Sequence, residues 1–85
     1  MTYLDRLITA FLEGKSAYSA SAHTNNGVFF SYDTPIAVYP ALGNNAVINI
    51  AKYSKTTSKQ QNALIKAFEA KGIHVIKCNA PIVNV

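Results

Sequence analysis

The spacing of apolar residues changes twice along this chain, and that change limits the fold more than any other feature. Near the start, Leu4, Leu7, Ile8, Phe11 and Leu12 recur three and four residues apart, the period of one face of an α-helix. Thr2 and Asp5 resemble a capping pair ahead of this stripe and Gly14 suits its last turn, so the spacing predicts a helix over residues 3–13. From Val28 the pattern is that of strands. Asn25-Asn26-Gly27 signals a turn, residues 28–32 are aromatic and branched, Asp33-Thr34-Pro35 interrupts them, and 36–39 complete a hairpin. After Gly43-Asn44-Asn45, Ala46, Ile48 and Ile50 share one face and Val47 and Asn49 the other, which predicts a third antiparallel strand ending near residue 53. Helical spacing returns at Leu64, Ile65 and Phe68. Gly72 then closes that helix, and the branched segment 73–78 reads as another strand.

Two segments are less decided. Residues 15–24 are small and polar apart from Tyr18, and read equally as a loop or an exposed edge strand; residues 81–85 either extend an edge or fray. The expected class is α+β, a small antiparallel sheet of four or five strands with two helices packed mainly on one face. The 85 residues make one domain, 1–85, and a chain of this size buries only roughly 60% of its unfolded surface, which leaves little room for a deep enclosed site. Cys78 is the single cysteine, so packing alone must hold the fold, as suits a reducing cytosol. Asp5 and Glu13 interrupt the N-terminal stripe, which therefore lacks the core of an export signal. No apolar run approaches the roughly 20 residues of a membrane span.

Tyr53-Ser54-Lys55-Thr56-Thr57-Ser58-Lys59-Gln60-Gln61-Asn62 is the densest cluster of groups able to hold a partner. Thr57 or Ser58 is expected to cap the second helix, with Gln60 or Gln61 reaching back to the cap. Thr56, Thr57 and Ser58 then place hydroxyls beside the exposed N–H groups of a helix start, and Lys55 and Lys59 add charge, an arrangement suited to an anion. Lys52 and Lys66 extend the patch, Lys59 and Lys66 being seven residues apart and so on one helix face, and Tyr53 offers a ring for a base to stack on. Eight basic side chains against four acidic ones give a net charge of +4 and favour an acidic partner. The same lysines also read as a solvated basic face. A Gly-rich phosphate loop, a helix-turn-helix, a zinc finger and an RNA-recognition signature are all missing from the sequence.

The pattern argues against an enzyme. His74 and Cys78 are the natural nucleophile pair, but on a strand they stand about 13 Å apart. His23 falls in a polar stretch with no neighbour to orient it, and Asp5, Glu13, Asp33 and Glu69 are scattered. Two histidines and one cysteine fall short of the four ligands of a structural zinc, so neither metal nor cofactor is expected. Alternation puts Val28, Phe30 and Tyr32 on one sheet face and Phe29 and Ser31 on the other. Phe29 either packs under a second layer or stays exposed as an interface anchor, and Tyr32, on the other face, is a further candidate contact residue. Homodimerisation through an uncovered face is one consequence, and docking onto another protein is the other.

Ser31-Tyr32-Asp33-Thr34-Pro35-Ile36-Ala37 and the segment 53–62 together resemble an uncharacterised family of very small phage-encoded proteins. That family carries a Ser-Tyr-Gly-Thr-x-Ile-Ala strand and a Tyr-Ser-x-Thr-Thr-Ser-Arg-His-Gln helix start. The likeness covers roughly residues 25–62. Asp33 stands where the family has Gly, and Lys59-Gln60 where it has Arg-His, which removes any role tied to that histidine. The resemblance implies a phage or prophage setting and a host cytoplasm, with no activity to carry over. With the basic patch, it leads to the expectation of a non-enzymatic binding protein that occupies the partner surface of a host defence complex, in the manner of an anti-CRISPR protein. A basic nucleic-acid-binding accessory protein and a minor virion or scaffold component are the alternatives.

Overall fold

A computed structural model of the chain describes residues 3–79; Thr2 and the segment 81–85, for which a cap and an edge were considered, lie outside them. The elements run α1 (Tyr3–Leu12), β1 (Ala17–Tyr18), β2 (Ala22–Asn25), β3 (Val28–Ser31), β4 (Thr34–Val38), a short 3₁₀ turn (Leu42–Asn44), β5 (Ala46–Asn49), α2 (Lys55–Ala70) and β6 (Val75–Cys78). The class is α+β. Among the described residues the sheet has six strands in the order of the chain, rather than four or five, and it is mixed rather than antiparallel. β1 to β5 pair antiparallel with their neighbours, whereas β6 runs parallel to β5. The cause is connectivity: a parallel pair needs a long crossover, and the 16 residues of α2 supply it.

The undecided segment 15–24 contains two strands. Ala17 and Tyr18 of β1 pair with Thr24 and His23 of β2, and the buried Thr24 hydroxyl donates to the carbonyl of Lys15 at 2.7 Å, which ties down the approach to β1. His23 therefore lies on a strand, not in a loop. β2 turns into β3 through Asn26 and Gly27, with φ of 51° and 79°, the left-handed pair that a tight hairpin of this twist requires. A Cβ on Gly27 would meet the backbone oxygen of Tyr39 at 2.8 Å, so this turn also lies against the end of β4.

Both helices cover one sheet face. Leu4, Leu7, Ile8 and Phe11 of α1 pack with Ala22, Phe29, Ile36, Ala37, Ala46 and Ile48 of the sheet and with Leu64 and Phe68 of α2. Phe11 stands between Phe29 and Phe68, its ring centroid 5.7 and 5.9 Å from theirs in edge-to-face contact, a favoured aromatic geometry. Phe29 is fully buried here, so it is a core residue and not an interface anchor. Its neighbour Phe30 takes the opposite face.

Candidate functional site

The second helix starts earlier than its hydroxyl cluster suggests. Ser54 is the N-cap: its backbone is extended and its Oγ accepts from the Thr57 N–H at 3.2 Å. Thr57 and Ser58, expected as caps, are already helical. What decides between the candidates is burial. Starting at Lys55 puts Thr57, Gln60, Gln61, Leu64 and Phe68 on the inward stripe, and all of these need the sheet.

The first half of that stripe is polar and bonds to groups at or beside strand ends. Thr57 Oγ1 shares a buried 2.8 Å hydrogen bond with Ser31 Oγ and accepts from Ser54 Oγ at 3.2 Å. Gln60 Nε2 donates to the Ser21 carbonyl at 3.3 Å, while its Oε1 is buried with no partner among the described residues. Gln61 Nε2 donates to the carbonyls of Asn49 and Ala51 at 2.6 and 3.0 Å. Thr57 and Gln60, named from sequence as contact residues, are thus anchors that hold α2 on the sheet. The Thr57 hydroxyl and Gln60 Nε2 bond within the fold, whereas Gln60 Oε1 does not among the described residues.

The same anchors set the loop that presents the basic groups. Asn49 is fully buried; its Oδ1 accepts from the Ala51 N–H at 2.9 Å and its Nδ2 donates to the Tyr53 hydroxyl at 2.8 Å. Residues 50–54 are therefore stitched to the end of β5 from two sides, and Tyr53, 46% exposed, has its hydroxyl oxygen held while its ring faces outward.

Around this loop lies an open groove of about 510 Å³ lined by Lys52, Tyr53, Ser54, Lys55, Ser58, Lys59 and Asn62. An adjoining one of about 380 Å³ is lined by Ser31, Tyr32, Thr34, Tyr53, Ser54 and Thr57. The two share Tyr53 and Ser54, so they form one continuous surface. Lys52, Tyr53, Lys55, Ser58 and Lys59 are brought together as the sequence suggests, and Tyr32 joins them across the β3–β4 turn. Tyr32 is 53% exposed with φ of 56°, an uncommon conformation for a bulky side chain. Its N–H donates to the Ser21 carbonyl at 2.9 Å. Among the described residues, Lys52, Lys55 and Lys59 have no carboxylate at ion-pair distance; the one such pair is Lys15 with Glu13 at 3.3 Å. The N–H groups of Lys55 and Thr56 have no acceptor within the helix.

Other expected members fall elsewhere. Lys66 does share the helix face of Lys59 in spacing, but it lines a separate groove between α1 and α2 with Asp5, Ile8, Leu12 and Lys71. Thr56 lines neither groove of the basic surface. Ser54 and Asn62 do line it. Ser54 was recoverable as a cap with Thr57 three residues on; Asn62 carried no separate signal. At the start of α1, Tyr3 accepts from Ser21 Oγ at 3.0 Å. That hydrogen bond first and then Gln60 lower the Tyr3 pKa below the usual tyrosine value; burial opposes them, and the charge of Lys59 adds a still smaller lowering.

These features define a small α+β domain with a helix-covered sheet and an uncompensated basic surface at one helix start. The chain belongs to a family of unknown function, DUF8033, whose family model matches residues 7–80. No curated protein and no solved structure matches the chain. No helix among the described residues is long and apolar enough to cross a membrane.

Proposed function

We propose that this protein is a non-enzymatic binding protein whose α2 start docks on an acidic macromolecular surface. The observation that carries the reading is the convergence of Lys52, Lys55 and Lys59 with Tyr53 on one groove, without a carboxylate partner for any of the three among the described residues. Three cations so placed raise the local potential for an anionic partner, and Tyr32 and Tyr53 supply the aromatic area from which interface anchors are drawn. The loop bearing Lys52 and Tyr53 is held by Asn49 and Gln61, so little ordering of it is needed on binding. The resemblance to small phage-encoded proteins directs the choice of partner: a host defence complex, blocked in the host cytoplasm by occupation of a surface that another component uses.

A second reading, an accessory protein that binds nucleic acid, is favoured by the exposure of the Tyr32 and Tyr53 rings beside the lysines, since such rings stack on bases without sequence preference. A pull-down from host lysate with and without nuclease, comparing wild type with Lys55→Glu/Lys59→Glu, separates the two. Capture of one defence complex that survives nuclease and is lost in the variant supports the first reading. Recovery of nuclease-sensitive nucleic acid alone, with affinity falling steeply with salt, overturns it in favour of the second.

A further inference from the structure

We propose that the continuous groove at the α2 start is a site for a nucleoside phosphate, whose base lies against Tyr32 and Tyr53 and whose phosphate lies among Lys52, Lys55 and Lys59. The inference rests on the reading of this surface as the binding surface, and names what it holds. Its two halves differ in chemistry. The half of about 380 Å³ is lined by the two tyrosines and by Ser31, Thr34, Ser54 and Thr57, with no charged side chain. The half of about 510 Å³ has all three lysines. Tyr53 and Ser54 line both, so a ligand that fills them has a flat uncharged ring at one end, an anion at the other and a linker that passes Ser54. A nucleoside phosphate has that layout, the sugar being the linker. A carboxylate side chain or inorganic phosphate engages the cationic half alone.

The aromatic half is held in place before anything binds. Tyr53 is anchored through its hydroxyl by Asn49, which leaves the exposed ring as a fixed stacking surface. Tyr32 keeps its φ of 56° through the bond from its N–H to the Ser21 carbonyl. Asn or Gly would hold the same turn more readily than a bulky residue, and side chains kept in such conformations cluster at ligand sites. Hydrogen-bonding capacity is divided in the same way. The Ser31, Ser54 and Thr57 hydroxyls bond to one another, whereas the side chains of Thr34, Ser58 and Asn62 make no hydrogen bond among the described residues. Thr34 lines the aromatic half and can meet a base edge; Ser58 and Asn62 line the cationic half and can meet a sugar hydroxyl or a phosphate oxygen. The lysines supply the charge a phosphate requires.

An open groove binds weakly, so the full chain is titrated by NMR, following amide chemical shifts, with ligand from about 10 μM to about 10 mM. The probes are adenosine monophosphate, adenosine, inorganic phosphate and a short single-stranded oligoadenylate. The monophosphate is expected to bind about tenfold or more tighter than phosphate or adenosine, because it alone of the three fills both halves. A further gain for the oligoadenylate assigns the ligand to a strand, and equal affinity assigns it to the free nucleotide. Tyr32→Asn removes the ring and keeps a residue that accepts positive φ. It is expected to weaken the monophosphate about fivefold or more, to leave phosphate binding unchanged and to keep the urea midpoint of wild type. Lys55→Gln/Lys59→Gln weakens the monophosphate and phosphate alike. Wild-type binding of the monophosphate that is no tighter than that of phosphate overturns the proposal, as does an affinity that Tyr32→Asn leaves intact. If the chain then still captures a nuclease-resistant host complex through Lys55 and Lys59, this inference has failed and the binding reading stands without it.

Discussion

Ser31 and Thr57 lie 26 positions apart in the chain and share a buried hydroxyl–hydroxyl hydrogen bond of 2.8 Å that joins the end of β3 to the first turn of α2. Through it the strand that leads into Tyr32 and the helix that carries Lys55 and Lys59 form one surface. Thr57→Val keeps the side-chain shape and removes the hydroxyl, leaving Ser31 Oγ without this partner. The expected loss is about 1–3 kcal/mol, read as a lower urea midpoint with unchanged slope. With Ser31→Ala added, the double variant loses less than the sum of the two single losses, since the unpaired group is then gone.

Phe29 and Phe30 are adjacent in sequence and opposite in environment. Phe29→Ala removes the ring that Phe11 packs against and is expected to cost about 3–5 kcal/mol, a large part of the total stability of a domain this small. Phe30→Ala opens no cavity under the helices and costs much less. Chemical denaturation of the two variants side by side checks the contrast, and equal losses would contradict the placement of Phe29 between the sheet and α1.

Tyr3 supplies a pH dependence. Its pKa is lowered in the folded state, chiefly by the Ser21 hydrogen bond and then by Gln60, so folding favours the phenolate. A lowered pKa contributes stability that is fully present above the unfolded tyrosine value of about 10 and is lost as pH falls through the folded value. Below the folded value the hydroxyl is protonated in both states and this contribution vanishes. Tyr3→Phe is therefore expected to lose stability relative to wild type increasingly as pH rises toward 10, and the onset of phenolate absorbance near 295 nm moves to higher pH. A stability difference that does not change across this range would sink the assignment.

By itself the amino-acid sequence determined the elements that depend on local spacing. The stripe Leu4, Leu7, Ile8, Phe11 and Leu12 specifies α1 because helical geometry puts those positions on one face. Asn26-Gly27 specifies a tight turn because such residues adopt positive φ at little cost. The clustering of Lys52, Tyr53, Lys55 and Lys59 was also legible, since neighbours across a strand end and the first turn of a helix cannot separate far. β1 and β2 were harder to read: Ala17, Ala22 and Thr24 have weak patterning, and short strands acquire their identity from pairing and from burial under α1.

Tertiary structure alone decided the rest. Ser54, Thr57 and Ser58 are comparable caps by local chemistry, and the choice fell to Ser54 because only that start turns Thr57, Gln60 and Gln61 toward strand ends in need of hydrogen bonds. The direction of β6 followed from the crossover, not from residues 75–78. Whether Phe29 or Phe30 entered the core depended on which sheet face the two helices cover, a property of the assembled layers that period-two alternation leaves open.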